Sequence, residues 1–261
     1  SLNDDGFTEL LLTNFSTVSL QDSGFGGEGT GFVTNWSWRL DAAPSAMHTV
    51  IGPSGQTLAL MVAGEDGRLH NVSPLVGLPV WQQSVDGTIE FLESVPQSGE
   101  SVGGPPDVLI GWNRLPLSTG DGGTISQSAG LDLKRLDGTS VWEIPVQIGS
   151  LITVMEVDRQ IGEEESSGIL NSRRAAQIYV GTADGTILAF SHQGEALWQR
   201  SLGSTVLDMA IIDRIDANDV LAVSTSAGNV AFLSQTSGGT IRQTNRHGRV
   251  EHLVALPPIE A

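Results

Sequence analysis

The sequence predicts an all-β protein of the β-propeller class, in which four-stranded antiparallel sheets repeat along the chain. Three observations support this prediction: a recurring Gly-x-x-x-Trp unit, pairs of short β-rich runs joined by Asp-Gly, and the lack of any sustained helical periodicity. Self-similarity at a period of roughly 40 to 60 residues is typical of propeller blades, each of which contributes one sheet.

The tryptophans set the phase of the repeat. Aligned on this residue, the last strand of each repeat carries Trp38, Trp81, Trp142 or Trp198. A glycine stands four residues before the last three of them, at Gly77, Gly138 and Gly194. Their fixed place predicts that the indoles pack between neighbouring sheets. In this alignment Trp36 and Trp112 are out of register.

Two strand-like runs, separated by a tight turn, lie upstream of each Gly-x-x-x-Trp unit. The best copy spans 177–190, where Asp184-Gly185 divides two apolar runs. Asp-Gly between such runs indicates a hairpin, because the turn requires a positive φ. A further apolar run follows each Trp, as at 88–92, so each repeat holds four strands. We name them A to D in chain order, with the Trp on strand D.

The repeats predict about five blades within a single domain that spans residues 1–261. The predicted blades cover about 1–41 with 250–256, then 46–83, 88–145, 150–201 and 205–244. A strand at 250–256 would complete the first blade and seal a closed ring, which removes exposed sheet edges. If the chain is a fragment, the same repeats form a segment of a larger ring. The sequence leaves both alternatives open.

Two segments resemble known repeat families. Residues 181–190, followed by Gly-Glu-Ala-Leu-Trp at 194–198, resemble the repeat of pyrroloquinoline-quinone-type propellers, in which the Trp packs between blades. Residues 1–10 resemble the calcium loop of FG-GAP repeats, which form the blades of integrin α-chain propellers. The two resemblances imply the propeller fold.

The FG-GAP resemblance also implies a structural calcium ion in the first blade. Oxygen ligands at alternate positions of a tight loop converge on a hard cation, and a late acidic side chain closes the shell. The implied ligands are Ser1, Asn3, Asp5, the carbonyl oxygen of Phe7, and Glu9. Ser1 stands where the family usually has Asp, which weakens the site. The alternative is that this acidic loop is a solvated turn between strands A and B.

The charge of the chain narrows the choice of partner. Acidic residues outnumber basic ones 30 to 13, which gives a net charge of -17. Such a surface repels phosphate backbones and anionic headgroups, which argues against nucleic acid and direct membrane adsorption. No apolar run approaches the roughly 20 residues that a membrane-spanning helix needs. Cations and basic protein surfaces are the partners that this charge favours.

Long connections accumulate on one face of the predicted blades. The A-to-B and C-to-D connections emerge on the same side, and three long ones lie there: 21–31, 94–106 and 159–175. One long connection, 113–130, emerges on the opposite side. Because function concentrates on loops held by a rigid scaffold, the A–B and C–D loop face is predicted to contact a protein partner. The alternative is that these are tolerated surface insertions.

The sequence gives no convincing sign of catalysis. Residues 24–29 match Gly-x-Gly-x-x-Gly, but a predicted strand follows where a dinucleotide site requires a helix. The chain has no cysteine, which excludes a Cys nucleophile and the vicinal cysteine pair common in quinone-dependent dehydrogenases. We therefore predict that the protein is not an enzyme.

These observations favour an extracellular or cell-surface propeller that acts as a scaffold for protein–protein interaction. The alternative is a carbohydrate-binding or carbohydrate-active propeller, in which acidic residues and the out-of-register Trp36 and Trp112 line one face or the axis. Asn-x-Ser sequons at Asn14, Asn35 and Asn71 are compatible with an extracytoplasmic location.

Overall fold

The computed structural model describes residues 9–14, 17–23, 32–97, 104–118, 124–125, 127–146, 150–158, 177–212, 220–245 and 248–255. These residues form 21 β-strands and no helix. The strands assemble into one three-stranded sheet, four four-stranded sheets and one two-stranded ribbon. The predicted all-β class is confirmed, and the sheets are numbered 1 to 5 in chain order.

Sheets 1 and 2 and most of sheet 3 belong to one of two compact units, which comprises the described residues up to 115 and residues 130–143. Sheet 1 contains β1 (Glu9–Asn14), β2 (Thr17–Ser23) and β3 (Phe32–Arg39). Sheet 2 contains β4 (Pro44–Ile51), β5 (Thr57–Gly64), β6 (Arg68–Val72) and β7 (Pro79–Ser84). Sheet 3 contains β8 (Thr88–Val95), β9 (Asp107–Arg114), β12 (Ser128–Lys134) and β13 (Ser140–Val146).

The second unit comprises the described residues of 116–129 and those from 144 onward. A small ribbon pairs β10 (Leu117–Ser118) with β11 (Thr124–Ile125). Sheet 4 contains β14 (Ile152–Val157), β15 (Gln177–Thr182), β16 (Thr186–Ser191) and β17 (Ala196–Ser201). Sheet 5 contains β18 (Val206–Ile212), β19 (Val220–Thr225), β20 (Asn229–Ser234) and β21 (Thr240–Asn245). In sheets 2, 4 and 5 the strands pair in sequence order, as an antiparallel meander.

The predicted Asp-Gly hairpins join strands B and C. Gly67 and Gly185 have φ angles of 76° and 85°, which glycine adopts without steric cost. In sheet 4 the Gly185 N–H donates to the Thr182 carbonyl oxygen at 3.1 Å, and the Thr186 N–H donates to Asp184 Oδ1 at 3.1 Å. These bonds close the turn and set the register between β15 and β16.

The hydrophobic core lies between neighbouring sheets of the same unit. Both β16 and β19 are buried along their whole length, because each face of these strands is covered. The cluster between sheets 4 and 5 comprises Tyr179, Ile187, Ala189, Val206, Met209, Leu221, Val223, Ala231 and Leu233. Comparable clusters join sheet 2 to sheet 3 and sheet 1 to sheet 2. Neighbouring sheets therefore stabilise each other through their faces.

The last strand of each of sheets 2, 4 and 5, here called the outer strand, contains a β-bulge just before the repeat position. In β7 the pairing register shifts between Pro79 and Trp81, which leaves Val80 as the extra residue. The same shift makes Leu197 the extra residue of β17 and Ile241 that of β21. A bulge turns its extra residue out of the ladder, and all three aliphatic side chains are exposed.

The bulge of sheet 1 corrects the predicted alignment of that sheet. In β3 the register shifts between Thr34 and Trp36, with Asn35 as the extra residue, so Trp36 occupies the repeat position. The alignment on Trp38 was wrong by two residues, and Trp38 is the out-of-register indole. Residues two apart on a strand point to the same side, so only the position of the bulge distinguishes the two tryptophans.

The closing strand predicted at 250–256 is not formed by residues 250–255, and residue 256 lies outside the described part. The Leu253 N–H instead donates to Asp208 Oδ2 on β18, at 2.6 Å. This backbone group is satisfied by a side chain rather than by a strand ladder. Sheet 1 accordingly has three strands within the described residues. The single-domain extent, and the choice between a closed ring and a segment, stay predictions.

Candidate interaction surface

Tryptophans on the outer strands donate their indole N–H to the C–D turn of the following sheet. Trp36 Nε1 lies 2.9 Å from the carbonyl oxygen of Pro74 in sheet 2. Trp198 Nε1 lies 2.6 Å from the carbonyl oxygen of Gln235 in sheet 5. A half-buried indole thus supplies apolar contact and one directed hydrogen bond, which holds each C–D turn in place.

The same arrangement joins sheet 2 to sheet 3, with two further bonds. Trp81 Nε1 and Asn71 Nδ2 both donate to the Leu136 carbonyl oxygen, at 2.7 and 2.9 Å. Gln83 Nε2 donates to the Gly138 carbonyl oxygen at 2.7 Å. Asn71 is buried, so the folded chain does not present this sequon to solvent.

Gly77 and Gly238, which hold the same place in their C–D turns, make room for the tryptophan of the preceding sheet. A Cβ on Gly77 would lie 2.3 Å from the Trp36 ring, and a Cβ on Gly238 would lie 2.5 Å from the Trp198 ring. Both glycines also have positive φ angles, 67° and 65°. Steric space and backbone conformation therefore both require glycine at these positions.

Sheet 5 carries an arginine at the repeat position of its outer strand. Arg242 follows the bulge residue Ile241 as Trp198 follows Leu197, and Arg242 is exposed. The Gly-x-x-x-Trp pattern is thus Gly-x-x-x-Arg at 238–242. The outer strand of sheet 5 therefore lacks the indole wedge found on β3, β7 and β17.

Two C–D turns have the same geometry in different units of the chain. The apolar turn is residues 73–78, Ser-Pro-Leu-Val-Gly-Leu, and the polar turn is residues 234–239, Ser-Gln-Thr-Ser-Gly-Gly. In each turn the first N–H donates to the sixth carbonyl oxygen, at 2.9 and 2.8 Å, and the fifth N–H donates to the first carbonyl oxygen at the same distances. In both, the second and fifth residues are buried, and the third, fourth and sixth are exposed.

The exposed side chains distinguish these two turns. The apolar turn presents Leu75, Val76 and Leu78, which are 69%, 58% and 62% exposed. The polar turn presents threonine, serine and glycine at the same three places. The C–D turns at 135–139 and 191–195 expose no large apolar side chain either. Among the described C–D turns, 73–78 is thus the one with a cluster of solvated aliphatic groups, and the exposed Val80 of β7 extends it.

A buried charged cluster lies in sheet 3. Asp132 and Lys134, the only lysine of the sequence, are 8% and 6% exposed on β12. Lys134 Nζ lies 3.7 Å from Glu143 Oε1, and the Trp112 indole donates to the Asp132 carboxylate. Burial raises the pKa of Asp132, while the charge of Lys134 and the indole hydrogen bond oppose that shift. The partners are all internal to sheet 3, which indicates a structural cluster.

The out-of-register aromatics are engaged inside the protein. Trp112 packs on Gly130, where a Cβ would lie 2.2 Å from the indole ring. Trp38 meets His70 edge to face, with ring centroids 4.7 Å apart, and burial lowers the pKa of His70. Trp36, which the carbohydrate hypothesis placed along one face or the axis, is the wedge between sheets 1 and 2. The carbohydrate alternative stays a prediction.

The predicted calcium loop falls almost entirely outside the described residues. This applies to Ser1, Asn3, Asp5 and Phe7, while Glu9 begins β1 with its side chain not described. Among the residues that are described, no group of three or more histidine or acidic side chains is placed to hold a metal ion. The calcium site stays a prediction.

The long connections are described only in part. The connection at 159–175 lies outside the described residues, 21–31 is described only at 21–23, and 94–106 is described at both ends. The connection at 113–130 contains the β10–β11 ribbon. Sequence reasoning singled out these insertions but missed the short turn at 73–78. The available signal was Leu75-Val76 in a turn, where polar residues are the rule.

Comparisons with known proteins show the fold. No family model matches the sequence, and no curated protein matches it. The chain is similar in structure to BBS1N, solved in complex with ARL6DN (TM-score 0.62, 16% identity, 95% of this chain and 67% of that chain). It is also similar to Chaetomium thermophilum Sqt1, solved bound to the N-terminus of the ribosomal protein L10 (TM-score 0.61, 17% identity, 92% of this chain and 58% of that chain).

A third similar structure is a europium-containing methanol dehydrogenase (TM-score 0.62, 11% identity, 91% of this chain and 49% of that chain). The chain thus spans about half to two thirds of the length of these three structures. No helix formed by the described residues is long and apolar enough to cross a membrane. The sheets and these likenesses together confirm the predicted β-propeller fold.

Proposed function

We propose that this propeller is a non-enzymatic scaffold that binds a protein partner through its A–B and C–D loop face. The observation that carries the proposal is the apolar turn, a C–D connection that presents three aliphatic side chains to water from a fixed backbone. Exposed apolar groups that are clustered rather than scattered are typical of protein-binding surfaces.

The rigidity of the turn supports the same function. Pro74 is buried, its carbonyl oxygen accepts the Trp36 indole N–H, and Gly77 lies against the same ring. A binding surface that is already ordered loses little conformational entropy when a partner docks, so more of the contact energy appears as affinity.

The similar structures support the proposal without deciding it. BBS1N and Sqt1 were solved with protein partners, whereas the methanol dehydrogenase is an enzyme. The fold is therefore compatible with both roles, and function has to be argued from the site. The apolar turn contains no titratable side chain and so offers binding rather than acid–base chemistry.

Site-specific photo-crosslinking tests this function. A photoreactive phenylalanine analogue replaces Val76, and the matched control replaces Ser237, the fourth residue of the polar turn. We expect a polypeptide from an extract of the source cells to be captured from position 76 and not from position 237. Equal capture at the two positions, or capture at neither, would contradict the scaffold function.

We further propose that the protein acts outside the cell or at its surface, with a structural calcium ion held by Ser1, Asn3, Asp5, Phe7 and Glu9. The support is the resemblance of residues 1–10 to a calcium loop. Calcium should raise the melting temperature of the wild-type protein and not that of an Asp5→Asn variant. Protease digestion of intact cells, in which an external protein is cleaved, tests the location separately.

A further inference from the structure

We propose that the apolar turn docks a basic polypeptide segment whose apolar side chains cover Leu75, Val76 and Leu78. This inference rests on the proposed scaffold function and specifies its partner. The partner is a chain in which lysine or arginine flanks an aliphatic or aromatic anchor.

The polar turn shows that folding does not require these aliphatic side chains. It forms the same two backbone hydrogen bonds and accepts the same indole bond while carrying Thr236, Ser237 and Gly239 at the exposed places. Its Gly239 N–H also donates to Ser237 Oγ at 3.3 Å, a contact that Val76 cannot reproduce. In the apolar turn, Val76 therefore replaces a residue that could make a local hydrogen bond, and all three aliphatic side chains remain in water. The geometry of the turn does not account for the presence of aliphatic residues at these positions.

The net charge of the molecule favours one class among the partners that could bind an apolar patch. A net charge of -17 opposes the close approach of a second copy of this chain, of nucleic acid and of anionic lipid. The same charge attracts a basic segment and raises the rate of encounter. The C–D turn of the adjacent sheet 3 carries both Arg135 and Asp137, whose pKa is lowered by hydrogen bonds from Thr139. The preference for a basic partner therefore rests on the net charge of the chain.

Apolar contact and net charge have separate roles in recognition of the partner. Residues 73–78 contain no charged side chain, so contact at the turn itself is apolar. Affinity then comes from burying Leu75, Val76 and Leu78, whereas the net negative charge of the chain provides steering and a preference for basic flanks. Such binding should weaken moderately with salt and strongly when the aliphatic groups are removed.

Three pools of short synthetic peptides test this inference. All share a randomised apolar centre, and their flanks are Lys and Arg, Ser and Gly, or Asp and Glu. The wild-type protein is compared with Leu75→Thr/Val76→Ser, which installs the residues of the polar turn. Ser237→Val, which makes the fourth residue of the polar turn apolar, is the matched control.

We expect the wild-type protein and Ser237→Val to retain the basic pool in preference to the other two. Leu75→Thr/Val76→Ser should weaken the affinity for a selected basic peptide by at least about 30-fold, as for a binding hot spot. Equal retention of the neutral or acidic pool, or retention unchanged in the double variant, would overturn the inference. Dimerisation that the double variant abolishes would instead make a second copy the occupant.

The outcome separates this inference from the scaffold function. If position 76 captures a polypeptide but the basic pool is not preferred, the scaffold function stands and the basic partner is wrong. If neither experiment gives binding, both proposals are wrong. Matching circular dichroism and melting curves for the three proteins exclude misfolding as the cause of lost binding.

Discussion

The apolar turn of sheet 2 and the polar turn of sheet 5 have the same backbone hydrogen bonds but differ in the polarity of their exposed side chains. Each is closed by the same pair of hydrogen bonds and lies against an indole from the preceding sheet. Their buried positions carry Pro74 and Gly77 in one turn and Gln235 and Gly238 in the other. The fold requires two features of such a turn: a glycine, and a carbonyl oxygen that accepts the indole N–H. It does not constrain the three exposed side chains.

A second contrast concerns the strand that leads into each turn. The turns at 135–139 and 234–239 start from equivalent residues, because the Arg135 and Ser234 N–H groups each donate to the last carbonyl oxygen of their turn, those of Thr139 and Gly239. By this alignment Asp132 and Lys134 of sheet 3 correspond to Ala231 and Leu233 of sheet 5. One repeat thus places charged residues where another places apolar core, and the fold accommodates both.

The largest expected effect is the loss of an indole. Trp36→Ala and Trp198→Ala should each lower the free energy of unfolding by about 3 kcal/mol, because each removes apolar burial and a hydrogen bond to a turn. Urea denaturation measures the change. Arg242→Ala is the control and should stay within about 0.5 kcal/mol, as for an exposed residue. Similar losses for Trp198 and Arg242 would show that the repeat position carries no special stability.

A methyl group on the glycine beneath the indole should have the next largest effect. Gly77→Ala and Gly238→Ala should each cost about 2 kcal/mol, since the Cβ would clash with the ring and φ is positive. Gly203 also has a positive φ, 74°, but no atom lies within 4 Å of its Cβ position. Gly203→Ala should therefore cost about 1 kcal/mol, the conformational part alone. Equal costs at all three glycines would mean that the indole is not in close contact.

The charged pair of sheet 3 should behave non-additively when replaced by the residues of sheet 5. Lys134→Leu alone should cost about 2 kcal/mol, because it leaves the Asp132 carboxylate buried without its cation. Adding Asp132→Ala should recover part of that loss, since it removes the buried carboxylate that Lys134 no longer compensates but leaves the Trp112 indole without its acceptor. A double-mutant cycle from urea denaturation measures the coupling. Strictly additive effects would rule out an interaction between the charges of Asp132 and Lys134.

The same carboxylate should affect how stability depends on pH. The folded state raises the pKa of Asp132 above its ordinary value of 3.8, so the folded protein holds this proton more tightly than the unfolded chain does. The resulting stability is fully present below pH 3.8 and is lost as pH rises through the folded pKa. Asp132→Asn can still accept the indole hydrogen bond and should remove this decline. An unchanged pH profile of unfolding would show that burial does not shift this group.

The smallest expected effect on stability belongs to the surface of the apolar turn. Leu75→Thr/Val76→Ser should change the free energy of unfolding by less than about 0.5 kcal/mol, because both side chains are exposed in the folded state. Chemical denaturation with an unchanged m-value checks this. A loss above about 1 kcal/mol would mean that the aliphatic groups stabilise the turn, and the comparison with the polar turn would fail.

The fold was predictable because its determinants are local and repeated. Gly185 marks a hairpin through its φ angle, and Trp81 and Trp198 mark the outer strand through a fixed distance from glycine. Such signals are readable in sequence because turn chemistry and spacing do not depend on distant residues. They sufficed to predict the β-propeller fold that the comparisons confirm.

The details that sequence missed depend on contacts between segments far apart in the chain. Trp36 and Trp38 are equivalent in spacing, and only a bulge paired against β2 decides between them. Residues 250–255 have an apolar composition suited to a strand. The Leu253 N–H nevertheless donates to the side chain of Asp208, 45 residues away, and not to a neighbouring strand. The apolar turn was missed for another reason, since exposure depends on what does not pack against it.

The reciprocal placement of indole and glycine has a consequence for how such a chain can be rearranged. Gly77, Gly138 and Gly238 each lie against the tryptophan of the preceding sheet. The smallest exchangeable module therefore runs from one tryptophan to the turn of the next sheet, across the sheet boundary. A chimera cut at the ends of whole sheets would pair each imported turn with a foreign ring. Junctions placed within the outer strand, just ahead of the bulge, would transplant both members of a matched pair together.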